Sequence, residues 1–131
     1  MNKHFNFLVP FQAQAYALLR ITSGFMFLFH GVQKILGIFG DAVVFSQAPQ
    51  LWIGGLIELV FGLFLMVGFQ TRLAAFISSG TMAVAFFQFH AIGAGSILPI
   101  VNKGELAALY CFVFLYIATR GSGIWSIDRE S

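Results

Sequence analysis

Four apolar stretches follow one another along the chain, each parted from the next by a short run carrying glycine, proline or charge. They cover about residues 14–36, 51–69, 72–92 and 103–119. Each is close to the ~20 residues that an α-helix needs to cross the hydrocarbon core of a bilayer. Gly37, Gly40, Asp41 and Pro49 mark the first break, Gly68 to Thr71 the second, and Gly93, Gly95, Pro99 and Asn102 the third. The second is short enough for a tight hairpin. In the first, Ile38, Phe39, Val43, Val44 and Phe45 are too apolar for a free loop, which predicts a short segment lying in the membrane interface, and the third loop is expected to dip inward similarly. The pattern therefore predicts an all-α fold: an integral membrane four-helix bundle, antiparallel, formed as a single domain over residues 1–131.

The N-terminus has the outline of a secretory signal, with basic Met1–His4, apolar Phe5–Phe11 and the small-residue run Ala13-Gln14-Ala15. Its apolar run is short, Pro10 interrupts it, and Phe11 leads into a full-length hydrophobic segment. An uncleaved amphipathic lead-in is the expectation.

Composition agrees with the pattern. Of 131 residues, 59% are hydrophobic and seventeen are Phe, against seven basic and five acidic side chains; the mean hydropathy is +0.87. That is too little polar surface for a soluble domain. A sequence pI near 9.0 does not point to nucleic acid, because Lys3, Arg20, Lys34, Arg72, Lys103, Arg120 and Arg129 are scattered singly. Cys111 is the sole cysteine, which excludes an internal disulfide, a C-x-x-C redox pair and a cysteine metal site. Four crossings put both termini on one side. Lys3, Arg72, Arg120 and Arg129 share that side against Lys34 and Lys103, so the positive-inside rule predicts cytoplasmic termini, with Trp52 and Trp125 as interfacial anchors.

Charge inside apolar stretches is costly, roughly 3 kcal/mol at mid-bilayer on insertion scales, so each such residue needs an offset. At about 100° per residue, Arg20, Gly24, Phe27, Gly31 and Lys34 share one stripe of the first helix. The second repeats the device, Gly54 and Gly62 flanking Glu58, so glycines let backbones approach beside the charges. An Arg20–Glu58 contact is expected, and two roles stay open for it: a pair that fixes helix register, or a carboxylate facing a ligand.

Glu105 follows Asn102 by three residues, as in an Asn N-cap with Glu at N3. It also sits on the outer side with His30, Gln33, Lys34, Gln88 and His90, a convergence that fits a polar headgroup, a quinone head or only the wet rim of a bundle. Two histidines on different helices raise haem or metal ligation, but no H-x-x-E-H or related spacing supports it, and neither a metal site nor a catalytic constellation is expected. Arg72 after Thr71, a natural N-cap, reads as an inner-leaflet anchor.

The run Arg20 to Lys34, with Arg, Gly and then His30-Gly31-x-x-Lys34, resembles the first-helix signature of the DoxX family. Glu58 with Gly62, Gly68 to Ala75, Asn102 to Glu105 and Gly121 to Asp128 are similar to that family's later blocks, in order, over nearly the whole chain. The resemblance implies a bacterial inner-membrane protein with four helices, linked with membrane oxidoreductase complexes such as a thiosulfate:quinone oxidoreductase. It marks Arg20, Gly24, His30, Gly31, Lys34, Glu58, Gly62, Arg72, His90, Gly104 and Glu105 as motif positions. Three readings follow. One is an accessory or anchoring subunit of an oxidoreductase, seating quinone or a redox partner protein on the polar site Arg20, His30, Lys34, Glu58, His90 and Glu105. The second is a non-catalytic scaffold or assembly factor held by Gly24, Gly31, Gly54 and Gly62. The third is a small-solute or proton-coupled carrier. The lipid bilayer is the surrounding partner in each, and glycine-lined faces with exposed Phe leave room for a homodimer.

Overall fold

Residues 3–130 are described in the computed structural model, and among them every regular element is helical. Tight 3-10 turns over Lys3–Phe11 run directly into α1 (Gln12–Leu36). Helices α2 (Pro49–Val67), α3 (Thr71–Ala85) and α4 (Glu105–Arg120) follow. Three helical stretches, Lys3–Leu36, Pro49–Val67 and Thr71–Ala94, are long and apolar enough to cross a membrane. Helix α4 has 16 residues; at about 1.5 Å per residue it is shorter than the ~30 Å hydrocarbon core.

The chain is built as two helix pairs, α1 along α2 and α3 along α4, while α2 and α3 touch each other over much less of their length. Glycine sets the first pair. A Cβ on Gly24 would stand 2.6 Å from the Met66 nitrogen, and one on Gly62 would stand 2.6 Å from the nitrogen of Leu28. Gly31 meets the backbone of Leu59 and the Gly55 carbonyl in the same way. Backbone meets backbone at three levels, which in lipid supplies the packing that a hydrophobic effect cannot. Gly54 departs from the expectation: a Cβ there would meet nothing, and it is Gly55 that abuts α1, against the Lys34 stem. The α-helical period explains this, since Gly55, Glu58 and Gly62 lie within one stripe at three- and four-residue steps and Gly54 sits at its edge.

In the second pair, Ala74, Ala75 and Ser78 are fully enclosed against α4, and Ser79 donates to the Cys111 carbonyl at 2.7 Å. Phe27 bridges the pairs, its ring 4.8 Å from Phe114 and 5.5 Å from Tyr110. The outer surface is apolar, with Phe76 and Phe112 about two-thirds exposed, as lipid requires of a surface with no water to face.

One boundary differs from the pattern reading, and two segments carry detail that the pattern does not give. The third helix is continuous over Thr71–Ala94, as expected, but changes pitch on the way: its α-helical part ends at Ala85, wider π-type turns span Phe86–Ala91, and a last turn covers Ile92–Ala94. The fourth starts at Glu105 because Lys103 adopts a left-handed conformation (φ 60°) that ends the single turn Pro99–Asn102. The first loop holds no helix between α1 and α2, although Phe39 and Phe45 there are exposed, Phe45 edge-on to Trp52 at 5.3 Å.

Candidate functional site

The charges expected to meet are divided between two separate centres. Arg20 is fully buried, yet it does not contact Glu58. Its Nε donates to the Leu65 carbonyl at 3.0 Å, Nη1 to the carbonyls of Ser122 and Ile124, and Nη2 to that of Trp125 at 2.6 Å. The expected Arg20–Glu58 pair is thus replaced by a cage of carbonyl oxygens, three of them from the segment that follows α4. The planar guanidinium, with five donors, can serve several such acceptors at once.

That segment is itself fastened. Tyr16 donates its hydroxyl to the Gly121 carbonyl, Ile127 N–H bonds the Val67 carbonyl at 3.0 Å, and Asp128 N–H bonds that of Gly68 at 2.8 Å. The Asp128 carboxylate accepts from the N–H groups of Gln70 (3.0 Å) and Thr71 (2.9 Å). A residue 57 positions away therefore caps α3, the role the sequence suggested for Thr71, and does so at the positive end of the helix dipole. Arg72, placed by sequence as a surface anchor, also ties down the segment through Glu130 at 3.0 Å.

Partial burial works to raise the Asp128 carboxyl, but the N–H donors of Thr71 and Gln70 and the nearby Arg20 charge outweigh it, leaving it below the ordinary aspartate range. A carboxyl lowered on folding stabilises at every pH above its unfolded value and loses that contribution as pH falls through the folded one. Asp128→Ala is accordingly expected to melt a few degrees below the parent protein in detergent at neutral pH. The gap should close as the pH drops below the aspartate range; a gap of undiminished size at about pH 3 would refute the cap.

The second centre lies toward the opposite ends of α1 and α2. Lys34 Nζ donates to Glu58 Oε1 at 2.6 Å, with Glu58 3% exposed and Lys34 28%. Both line a cavity of about 740 Å³ between α2, α3 and α4, which also takes in His30, His90 and Tyr110. The His30 ring is edge-on to Tyr110 at 6.3 Å, and His90 Nδ1 lies 3.1 Å from the Asn102 carbonyl. Its walls are apolar, with Phe27, Ile57, Phe76 and Phe89 among them. The π-type turns of Phe86–Ala91 present Phe89 and His90 to this space, the kind of local widening that recurs at functional positions.

Of the six candidate site residues, four, His30, Lys34, Glu58 and His90, line the cavity. Arg20 and Glu105 do not. Glu105 opens α4 and is exposed, and the expected Asn102 cap goes elsewhere: Asn102 Oδ1 accepts from Gly104 N–H at 2.8 Å while its amide donates to Ser96. With Gly104 at the N-cap, Asn102 lies two residues too early to close the helix. Sequence reasoning missed Tyr110, whose hydroxyl in an apolar helix was the available signal. It missed Asp128 too, although that residue closes the family-like block Gly121 to Asp128. Among the described residues no group of three His, Cys, Asp or Glu could hold a metal ion.

A DoxX family profile matches residues 15–91. The chain is 40% identical over 125 residues to a Haemophilus influenzae protein described as uncharacterized, covering 87% of this chain and 88% of that one. No solved structure matches it.

Proposed function

Since this chain belongs to the DoxX family, we propose that it serves as an accessory or anchoring subunit of a membrane oxidoreductase complex, seating a quinone-like lipophile beside a redox partner protein. The single observation that supports the reading is the apolar-walled cavity with an ion pair at its floor, Lys34 and Glu58 held at 2.6 Å. Ligand sites have this composition: mostly apolar lining, a few placed polar groups and a volume between roughly 300 and 1,000 Å³. The reading places the chain in the bacterial inner membrane as one antiparallel four-helix domain with both termini cytoplasmic. On this reading helix α4, packed along α3, supplies the fourth crossing.

Mild extraction of the native complex tests this. A redox-active protein and quinone are expected to co-purify with the chain. A lone, spectrally silent protein without quinone would count against the role.

A second reading, a scaffold, is favoured by the Arg20 centre, which offers no opening to a ligand because the guanidinium is spent on carbonyls. The two fit one molecule: the Arg20 end holds the bundle together, and the cavity end binds.

A further inference from the structure

The cavity has an open side, and its floor holds polar atoms with nothing to bind. Helices α2 and α3 are joined at one end by the Gly68–Gln70 hairpin. At the other, a reciprocal amide pair ties them: Gln50 Nε2 donates to Gln88 Oε1 at 2.7 Å, and Gln88 Nε2 donates back to Gln50 Oε1 at 2.9 Å. Between these ties both helices carry a glycine on the cavity wall, Gly54 and Gly80, and a Cβ on either would meet nothing within 4 Å. Ile53, Phe76 and Val84 beside them are exposed. A gap tied at both ends and flanked by exposed apolar side chains presents a side opening whose rim suits acyl chains.

At the floor, Lys34 occupies one oxygen of Glu58. The other, Oε2, is buried and has no hydrogen-bond partner among the described residues, and the same is true of the Tyr110 hydroxyl. A buried polar atom left unpaired is costly in an apolar setting, so two in one cavity call for an explanation. The terminal torsion of a glutamate is broad, so a small rotation presents Oε2 to an incoming group. A carboxylate oxygen accepts; it does not donate.

We propose that the gap between α2 and α3 is a lateral portal through which a lipid-soluble molecule with a hydroxyl donor on its head enters from the bilayer, placing that hydroxyl on Glu58 Oε2 within reach of Tyr110. The inference rests on the lipophile-binding reading above and narrows it to a donor-headed ligand and a route. A head with acceptors alone, such as an oxidised quinone, or an anionic one, meets the carboxylate unfavourably, so a quinone-type ligand is held here in its hydroxyl-bearing quinol form.

The test uses the full chain in detergent and two probes that differ by a single O-methyl group, 4-heptylphenol and its methyl ether 4-heptylanisole, with binding followed by native mass spectrometry. The phenol is expected to bind at least about tenfold more tightly, the discrimination a hydrogen bond to a charged acceptor provides. Gly80→Leu and Gly54→Leu place a side chain in open space on a helix that tolerates leucine well. Each should keep the parent melting temperature while weakening both probes about tenfold or more. Equal affinity for phenol and ether would overturn the donor head, and unaltered binding in both leucine variants would overturn the portal. Phenol selectivity in a protein that extracts without quinone or redox partner would uphold the inference and sink only the oxidoreductase role.

Discussion

Replacing Arg20 by leucine is expected to leave little folded protein in detergent extracts, with a melting transition lowered more than by any other substitution of a charged residue in the chain. The guanidinium donates to four carbonyl oxygens, those of Leu65, Ser122, Ile124 and Trp125, and is fully enclosed. Removing it strands acceptors that cost about 1–3 kcal/mol each when left unpaired. The total is on the order of 5 kcal/mol, comparable with the whole net stability of many domains. Arg20→Lys should rescue only in part, since one ammonium cannot reach acceptors arranged around a planar fork. Deleting the chain from Gly121 onward is expected to be nearly as damaging, because it removes three of the four acceptors and leaves the ionised group with the Leu65 carbonyl as its one remaining acceptor of the four. Thermal unfolding followed by size-exclusion chromatography reads all three. An Arg20→Leu protein that melts with the parent would show that the cage does not hold the fold.

Breaking the other buried charge centre from one side should be almost as severe. Lys34→Met leaves the Glu58 carboxylate, 3% exposed, without its only bonding partner among the described residues. Loss of one member of a buried pair typically costs about 3–5 kcal/mol. The double variant Lys34→Met with Glu58→Leu is expected to recover most of that loss, because apolar side chains of similar volume often replace a buried ion pair at no net cost. The coupling energy from this cycle measures the pair directly. A double variant that melts normally but no longer distinguishes the phenol probe from its ether would show that the ion pair is retained for the ligand rather than for the fold. A Lys34→Met single variant with unchanged stability would contradict the structure at this point.

The chain pattern is informative where one helix decides the outcome. The stripe Arg20, Gly24, Phe27, Gly31 and Lys34 and the ridge Glu58 to Gly62 follow from the helical period alone. The structure buries Arg20, Gly24, Phe27, Gly31, Glu58 and Gly62, as that period requires. Partner choice was not legible in the same way. Arg20 and Glu58 are opposite in sign and lie on facing helices, yet Arg20 sits fourteen residues before Lys34 on α1, roughly 21 Å along the axis, and it is Lys34 that lies level with Glu58. The carbonyls that receive Arg20 were invisible to a search for charged side chains, since every residue offers the same backbone oxygen.

The membrane class, the existence and approximate extent of the four helices, and the faces that turn inward were determined by the sequence itself. These depend on local quantities: the length of an apolar run, the helical period, and the cost of charge in hydrocarbon. Which charge meets which, the return of Gly121–Asp128 as a strap under Arg20, the capping of α3 by Asp128 and the cavity opened at Gly54 and Gly80 were decided only by tertiary structure. Each depends on the relative height and separation of helices, and those are fixed by close backbone packing and a distant terminal segment rather than by any run of neighbouring residues.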